Sequence, residues 1–230
     1  MEKGLGRLQK RKITTNLFCI IGKPGTGKQS ILDCIFSNAR FIDRYNILRF
    51  TCGTTKDIRV NDYDKSRYDR YSYDEYKNIN PSLIIESRSY DNILDGGTEY
   101  YFTLESHIEF GKTMIGITTL FQYEELKKWA QIKQMENLLL EINIYPIYIE
   151  SPLFCRIKRL IWRSKGDENF IYEVCAKIIS ERYEYRPVIE NKVIDRSNPD
   201  VLIIDNGDSV DFNITIAKQI RIFIEKKIKV

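Results

Sequence analysis

The sequence has one histidine, His107. No Ser–His or Cys–His pair can be assembled without it, and nothing around it resembles a triad, so it takes a structural or surface role. Five cysteines, Cys19, Cys34, Cys52, Cys155 and Cys175, include no C-x-x-C pair and are odd in number. They argue against a zinc site or a disulfide frame and fit reduced thiols in a reducing compartment. No apolar run approaches the roughly 18–20 residues of a membrane span, and Met1-Glu-Lys-Gly-Leu-Gly-Arg7 lacks the apolar core of a secretory leader. The expectation is a cytoplasmic protein with no membrane partner. An excess of one charge is also lacking. Thirty-six Lys+Arg against 32 Asp+Glu leave a net charge of +4, too mild and dispersed for a nucleic-acid footprint but compatible with anionic small molecules.

What is present is a glycine-rich segment in the place where an anion needs it. Gly22-Lys23-Pro24-Gly25-Thr26-Gly27-Lys28-Gln29-Ser30 follows directly on the apolar run Asn16-Leu-Phe-Cys-Ile-Ile21. It leads into Gln29–Asn38, where Ile31, Leu32, Ile35 and Phe36 recur at helical spacing. A strand, a tight turn and a helix in this order let consecutive N–H groups and the helix N-terminus converge on a phosphate. Lys28 adds a mobile charge for the β- and γ-phosphates. The pattern G-x-x-x-x-G-K-[ST] holds, except that Gln29 follows the lysine and the hydroxyl is displaced to Ser30. A plain glycine turn between strand and helix would need neither Lys28 nor three glycines at this spacing. All nine residues are predicted to bind ATP.

At 230 residues the chain fits one α/β domain with a small inserted subdomain. The basic lead-in, residues 1–12, reads as a flexible tail ahead of a single domain over 13–230. Strands are predicted at Asn16–Ile21, Tyr45–Phe50, Ser82–Glu86, Thr113–Thr118, Ile142–Ile149 and Val201–Ile204, and helices at Gln29–Asn38, Tyr123–Leu138, Pro152–Arg163 and Phe212–Lys227. In Pro152–Arg163, Ile157, Leu160 and Ile161 are expected to bury while Arg156, Arg159 and Arg163 line another face. Asn61–Tyr76 reads as a solvated, partly extended loop or small subdomain, and Asp95-Gly-Gly97 as a turn. Apolar strands alternating with helices imply a mostly parallel central sheet covered on both faces.

Once the glycine loop is joined to Thr51-Cys-Gly-Thr-Thr-Lys-Asp-Ile-Arg59, the chain resembles guanylate kinase, a P-loop nucleoside-monophosphate kinase. The resemblance runs over about residues 16–226. It implies a P-loop three-layer sandwich with a core of residues 13–50 and 106–230, a monophosphate-binding insertion at 51–105 and a helical lid at about 156–186. It implies transfer of the γ-phosphoryl of ATP to GMP or dGMP, with Mg²⁺ as cofactor and a homodimer by analogy with such small kinases. The family's acceptor clamp looks like Cys52, Lys56, Arg59, Asp62 and Tyr68, its base-reading glutamate like Glu86, and its Tyr-Tyr-Gly-Ser like Tyr100-Tyr101-Phe102-Thr103. Lys28, Arg159 and Arg163 take the catalytic roles, with Lys177 or Arg182 also near the migrating phosphoryl and Ser30 as the metal ligand. Chemically, a phosphate dianion needs cations and neutral donors on separate sides, and Lys56, Arg59, Tyr68 and Tyr101 supply such a set.

The sequence departs from that family at informative places. Lys56 replaces a two-pronged arginine with a point charge, and Cys52 replaces a hydroxyl. The central strand ending at Ile117-Thr118-Thr119 has no aspartate, so neither guanine selectivity nor a carboxylate for the metal is fixed. The competing expectation is a catalytically degenerate module of the same fold that binds a phosphorylated partner; the intact loop with Lys28 favours the enzyme.

Overall fold

The computed structural model describes residues 12–56, 68–91, 96–207 and 212–229. In chain order the first half contains β1 (Ile13–Ile21), α1 (Lys28–Phe36), α2 (Ala39–Tyr45), β2 (Ile47–Arg49), β3 (Cys52–Thr54), β4 (Tyr68–Arg70), α3 (Tyr73–Lys77), β5 (Ile84–Asp91) and β6 (Thr98–Leu104). The second half contains β7 (Thr113–Ile117), α4 (Leu120–Glu136), β8 (Leu140–Glu150), α5 (Leu153–Ser164), α6 (Glu168–Glu184), α7 (Pro187–Val193), β9 (Leu202–Asp205) and α8 (Phe212–Ile228).

Leu17 to Ile21 in β1 are each at most 1% exposed, so this strand lies at the centre of the fold with both faces covered. Its two-residue period divides the core. Phe18 and Ile20 join Ile31, Leu32 and Ile35 of α1 and Ile216, Ile220 and Ile224 of α8, whereas Leu17, Cys19 and Ile21 join Leu120, Tyr123 and Leu126 of α4. The five-stranded sheet runs β2-β7-β1-β8-β9 with every neighbouring pair parallel. Helices on both faces of a parallel sheet, with a glycine loop leaving the central strand, make a three-layer P-loop α/β architecture.

Residues 52–104 supply a second sheet, ordered β4-β3-β6-β5. β3 pairs parallel with β4 and antiparallel with β6, and β5 pairs antiparallel with β6. The register sets Glu86 opposite Thr103, Arg88 opposite Tyr101 and Tyr90 opposite Glu99. Alternation therefore places Glu86, Arg88, Tyr90, Thr103, Tyr101 and Glu99 on one face. Phe102 points to the other side, over Gly53, where any Cβ would run into the Phe102 ring.

Several local expectations change. α2 reaches Tyr45, and the following strand is confined to Ile47–Arg49. The polar stretch read as a loop or small subdomain takes the second form in its described part, with β4 and the start of α3, the latter opened by a reciprocal Ser72–Glu75 cap; its residues 61–67 lie outside the described residues. In α5 the burial of two residues is reversed. Arg156 is 4% exposed, because its guanidinium has a carboxylate partner inside the fold, and Ile161 is 52% exposed.

Candidate functional site

The glycine loop begins where β1 ends. Gly25 and Gly27 adopt φ of 79° and 86°, in the left-handed region that a side chain disfavours, and Gly27 starts α1 with no side-chain cap. A Cβ at Gly25 would lie 2.7 Å from the Arg156 carbonyl oxygen, so α5 also denies it a side chain. The first N–H groups of α1 are left directed toward the loop, the arrangement that receives an anion. Lys28 folds over this turn: its Nζ donates to the carbonyl oxygens of Gly22 and Lys23, the latter at 3.0 Å, and lies 3.4 Å from Thr26 Oγ1. An incoming phosphate would give this ammonium an anion in place of neutral acceptors.

The loop is held from outside by residues distant in sequence. Tyr185, directly after α6, donates its hydroxyl to Gly22 O at 3.1 Å, and Asn206, after β9, donates its amide to Thr26 O at 2.6 Å. Beneath the loop, Arg156 grips Glu181 of α6 through two bonds of 2.6 and 2.8 Å and donates to Pro24 O at 3.1 Å. Arg159 reaches Gly25 O at 3.4 Å, Ser151 Oγ at 3.1 Å and the Gly207 carbonyl. Arg163, one turn further, is exposed, with its guanidinium 5.9 Å from the centre of the Phe170 ring. Of the two predicted catalytic arginines, α5 brings only Arg159 to the loop. Arg182 is exposed, and the side chain of Lys177 lies outside the described residues. A pocket of about 290 Å³ opens beside the loop, lined by Lys23, Thr26, Tyr148, Ser151, Glu190 and Asp205.

On the acceptor side, Lys56, Tyr68 and Tyr101 do come together. Tyr68 and Tyr101 pack edge to face at 5.5 Å, and Glu99 Oε2 accepts from Lys56 Nζ at 2.9 Å and from Tyr101 Oη at 3.3 Å. Arg59 lies outside the described residues, as does Asp62. Cys52, Glu86 and Thr103 form something different from an open base site. Thr103 donates its hydroxyl to Glu86 Oε1 at 2.7 Å, and Gln122 donates its amide to Thr103 Oγ1 at 2.9 Å and Cys52 Sγ at 2.8 Å. Arg88 donates Nε to Glu86 Oε2 at 2.9 Å and Nη2 to Oε1 at 3.5 Å, while its Nη1 donates to Thr119 Oγ1 at 2.8 Å. The Glu86 side chain has no exposed surface. Burial pushes the Cys52 thiol up to about 11, so at neutral pH it takes part as a thiol. Burial works against the Arg88 charge, but the attraction of Glu86 and neighbouring groups more than offsets it, and the guanidinium pKa rises.

Glu184, the last residue of α6, joins the two sides. Burial raises its carboxyl above the ordinary value, while Arg88 on the second sheet and Lys28 on the glycine loop both pull it down. A single carboxylate therefore feels one cation from the glycine loop and one from the second sheet.

Among the described residues no three His, Cys, Asp or Glu side chains gather as a metal site. Gln29 turns its amide to Asp33 Oδ1 at 2.9 Å, which in turn pairs with Arg49 at 3.0 Å, and Ser30 is exposed on the first turn of α1. In β7, Gly116 approaches the Phe50 carbonyl so closely that no side chain fits there. Such a donor set suits a magnesium ion that retains phosphate and water ligands rather than one caged by protein.

Sequence reading missed Arg88, Gln122, Glu184, Tyr185, Asn206 and the Arg156–Glu181 pair. Arg88 was within reach, since two residues beyond Glu86 on a strand is the same face. No helix of the described residues is long and apolar enough to cross a membrane. No protein-family model matches the sequence, and no curated protein matches it significantly. Among solved structures, the chain is similar to the guanylate kinase of Anaplasma phagocytophilum, with 14% identity, 94% of this chain and 87% of that chain covered, and a TM-score of 0.48.

Proposed function

We propose that this protein is an ATP-dependent nucleoside-monophosphate kinase. The observation that carries the reading is the glycine loop with Lys28 folded over it, together with the Lys56, Tyr68 and Tyr101 set gathered on the second sheet. It points to two anion-handling walls across one cleft, the arrangement that a phosphoryl transfer between two nucleotides requires.

In this reading the loop N–H groups, Lys28 and Arg159 hold the triphosphate, and Lys56, Tyr68 and Tyr101 hold the acceptor phosphate, with Glu99 yielding Lys56 to it. Arg59 completes the acceptor set. An oxygen of the acceptor phosphate attacks the γ-phosphorus, a new P–O bond forms, and the bond to the bridging oxygen breaks to release ADP. That oxygen is already ionised at neutral pH, so no general base is needed, and positioning and charge neutralisation carry the work. Ser30, on the first turn of α1, would be the protein hydroxyl offered to a Mg²⁺ ion, which when bound would supply neutralisation of the triphosphate charge. The binding-only alternative keeps the same walls without turnover.

ADP formation from ATP that depends on added nucleoside monophosphate, and falls away in Lys28→Ala, is the expected outcome. ADP formed at the same rate without an acceptor would refute the kinase in favour of an ATPase. Phosphopeptide binding with no ADP at all would refute it in favour of the binding module.

A further inference from the structure

Guanine offers two adjacent N–H donors on its pairing edge, and a carboxylate is the side chain suited to read both. On the acceptor face that carboxylate is Glu86, and Arg88 already provides it with the same pattern: two N–H donors, from Nε and Nη2, directed at its two oxygens. Thr103 uses its only proton on Glu86 and receives Gln122, so it has no donor left for a base carbonyl. Cys52 receives the other hydrogen bond of Gln122. Arg88 thus stands in for a guanine edge inside the protein's own acceptor pocket. It is fixed at the far side by Thr119, the residue that caps α4 by accepting from the Gln122 backbone N–H at 3.1 Å.

From this we infer that Arg88 sets the acceptor specificity, turning a pocket that would read donors into one that reads acceptors, and that the preferred substrate is a pyrimidine nucleoside monophosphate rather than GMP. The inference rests on the kinase reading above. Three of the five guanidinium N–H groups are engaged in the bonds described and Tyr90 takes a further one, leaving one to meet a carbonyl oxygen such as one of uracil, thymine or cytosine. Tyr90 and Tyr101, edge to face at 5.5 Å on the same sheet face, offer an aromatic wall for such a ring.

The test is an acceptor panel of UMP, dTMP, CMP, GMP and AMP at fixed ATP, with ADP formation and calorimetric binding of each monophosphate measured in parallel. The wild type is expected to favour a pyrimidine monophosphate over GMP by about tenfold or more in kcat/KM. Arg88→Ala frees Glu86 and is expected to move that ratio toward GMP. Because this variant leaves a buried carboxylate without its partner, its fold is checked by circular dichroism, and Arg88→Ala/Glu86→Gln provides a version with no unpaired charge, expected to lose the pyrimidine preference without gaining GMP. Wild-type preference for GMP or AMP overturns the inference while leaving the kinase standing, as does an unchanged ratio in the folded variants. If no monophosphate binds or stimulates turnover, the kinase reading itself falls.

Discussion

Gly25 and Gly27 set the donor loop through backbone torsion, and the side chains around it, Lys28, Arg156, Arg159, Tyr185 and Asn206, all donate to its main-chain carbonyls. On the acceptor wall the polar groups instead hold one another: Cys52, Glu86, Arg88, Thr103, Thr119 and Gln122 form a chain of side-chain bonds. A site shaped by backbone accepts any ligand that fits its N–H groups, so the donor wall is suited to a phosphate common to many nucleotides. A site shaped by side chains changes its preference with a single residue, so in the proposed kinase specificity would belong to the acceptor wall.

The sharpest challenge to this contrast is Arg156→Ala, which removes a buried charged side-chain pair beneath the donor loop. It strands Glu181 in the interior and should cost about 3–5 kcal/mol in urea unfolding, whereas Arg156→Met/Glu181→Leu should recover most of that loss. A tolerated single variant would mean the loop needs no such prop. Next in size, Lys28→Ala should lower monophosphate-dependent ADP formation by about 10²–10³-fold while leaving the unfolding midpoint close to wild type. Equal loss of stability would show Lys28 to be a structural strut for the Gly22 and Lys23 carbonyls. Gly116→Asp, which introduces an acid into β7, should destabilise the fold by about 1–3 kcal/mol because Phe50 occupies the space, and it should not raise activity.

The smallest effect concerns Glu184, at the end of α6. Burial, opposed by Arg88 and Lys28, lifts its pKa above the ordinary 4.5. The folded protein then binds this proton more tightly than the unfolded chain does. Its contribution is fully present below the unfolded value and is lost as pH rises through the folded one. Glu184→Gln should match the wild type in urea midpoint at about pH 4 and exceed it progressively toward neutrality. A gap that stays constant with pH would mean that the carboxyl does not titrate differently in the fold.

How much could be read in advance depended on whether the cause was local. The parallel sheet was legible because β1, β7, β8 and β9 carry apolar runs, and α1 because its burial follows helical spacing. α6 was not. Most of one side is exposed, with Ile179 and Tyr183 outward, while Glu181 lies inward against Arg156, so its pattern of apolar residues carries little period. The same pairing explains the inverted burial in α5, since a partner 25 positions away makes an arginine a core residue. On the second sheet, Lys56, Tyr68 and Tyr101 are named by the resemblance to guanylate kinase, whose motif they match position by position. That Glu86 is occupied could not be read in this way, because it depends on the register of β5 with β6 and on Gln122 arriving from α4.

The bond from Asn206 to Thr26 spans 180 positions, and Gly27 leaves space for it by having no Cβ, which would stand 2.8 Å from the Asn206 amide. During synthesis from the N-terminus, the glycine turn waits for a further 180 residues before the Asn206 prop arrives. Contacts of such separation are slow to close. The nucleotide cradle is therefore among the last features to mature, so truncated or stalled chains would carry its motif without its shape.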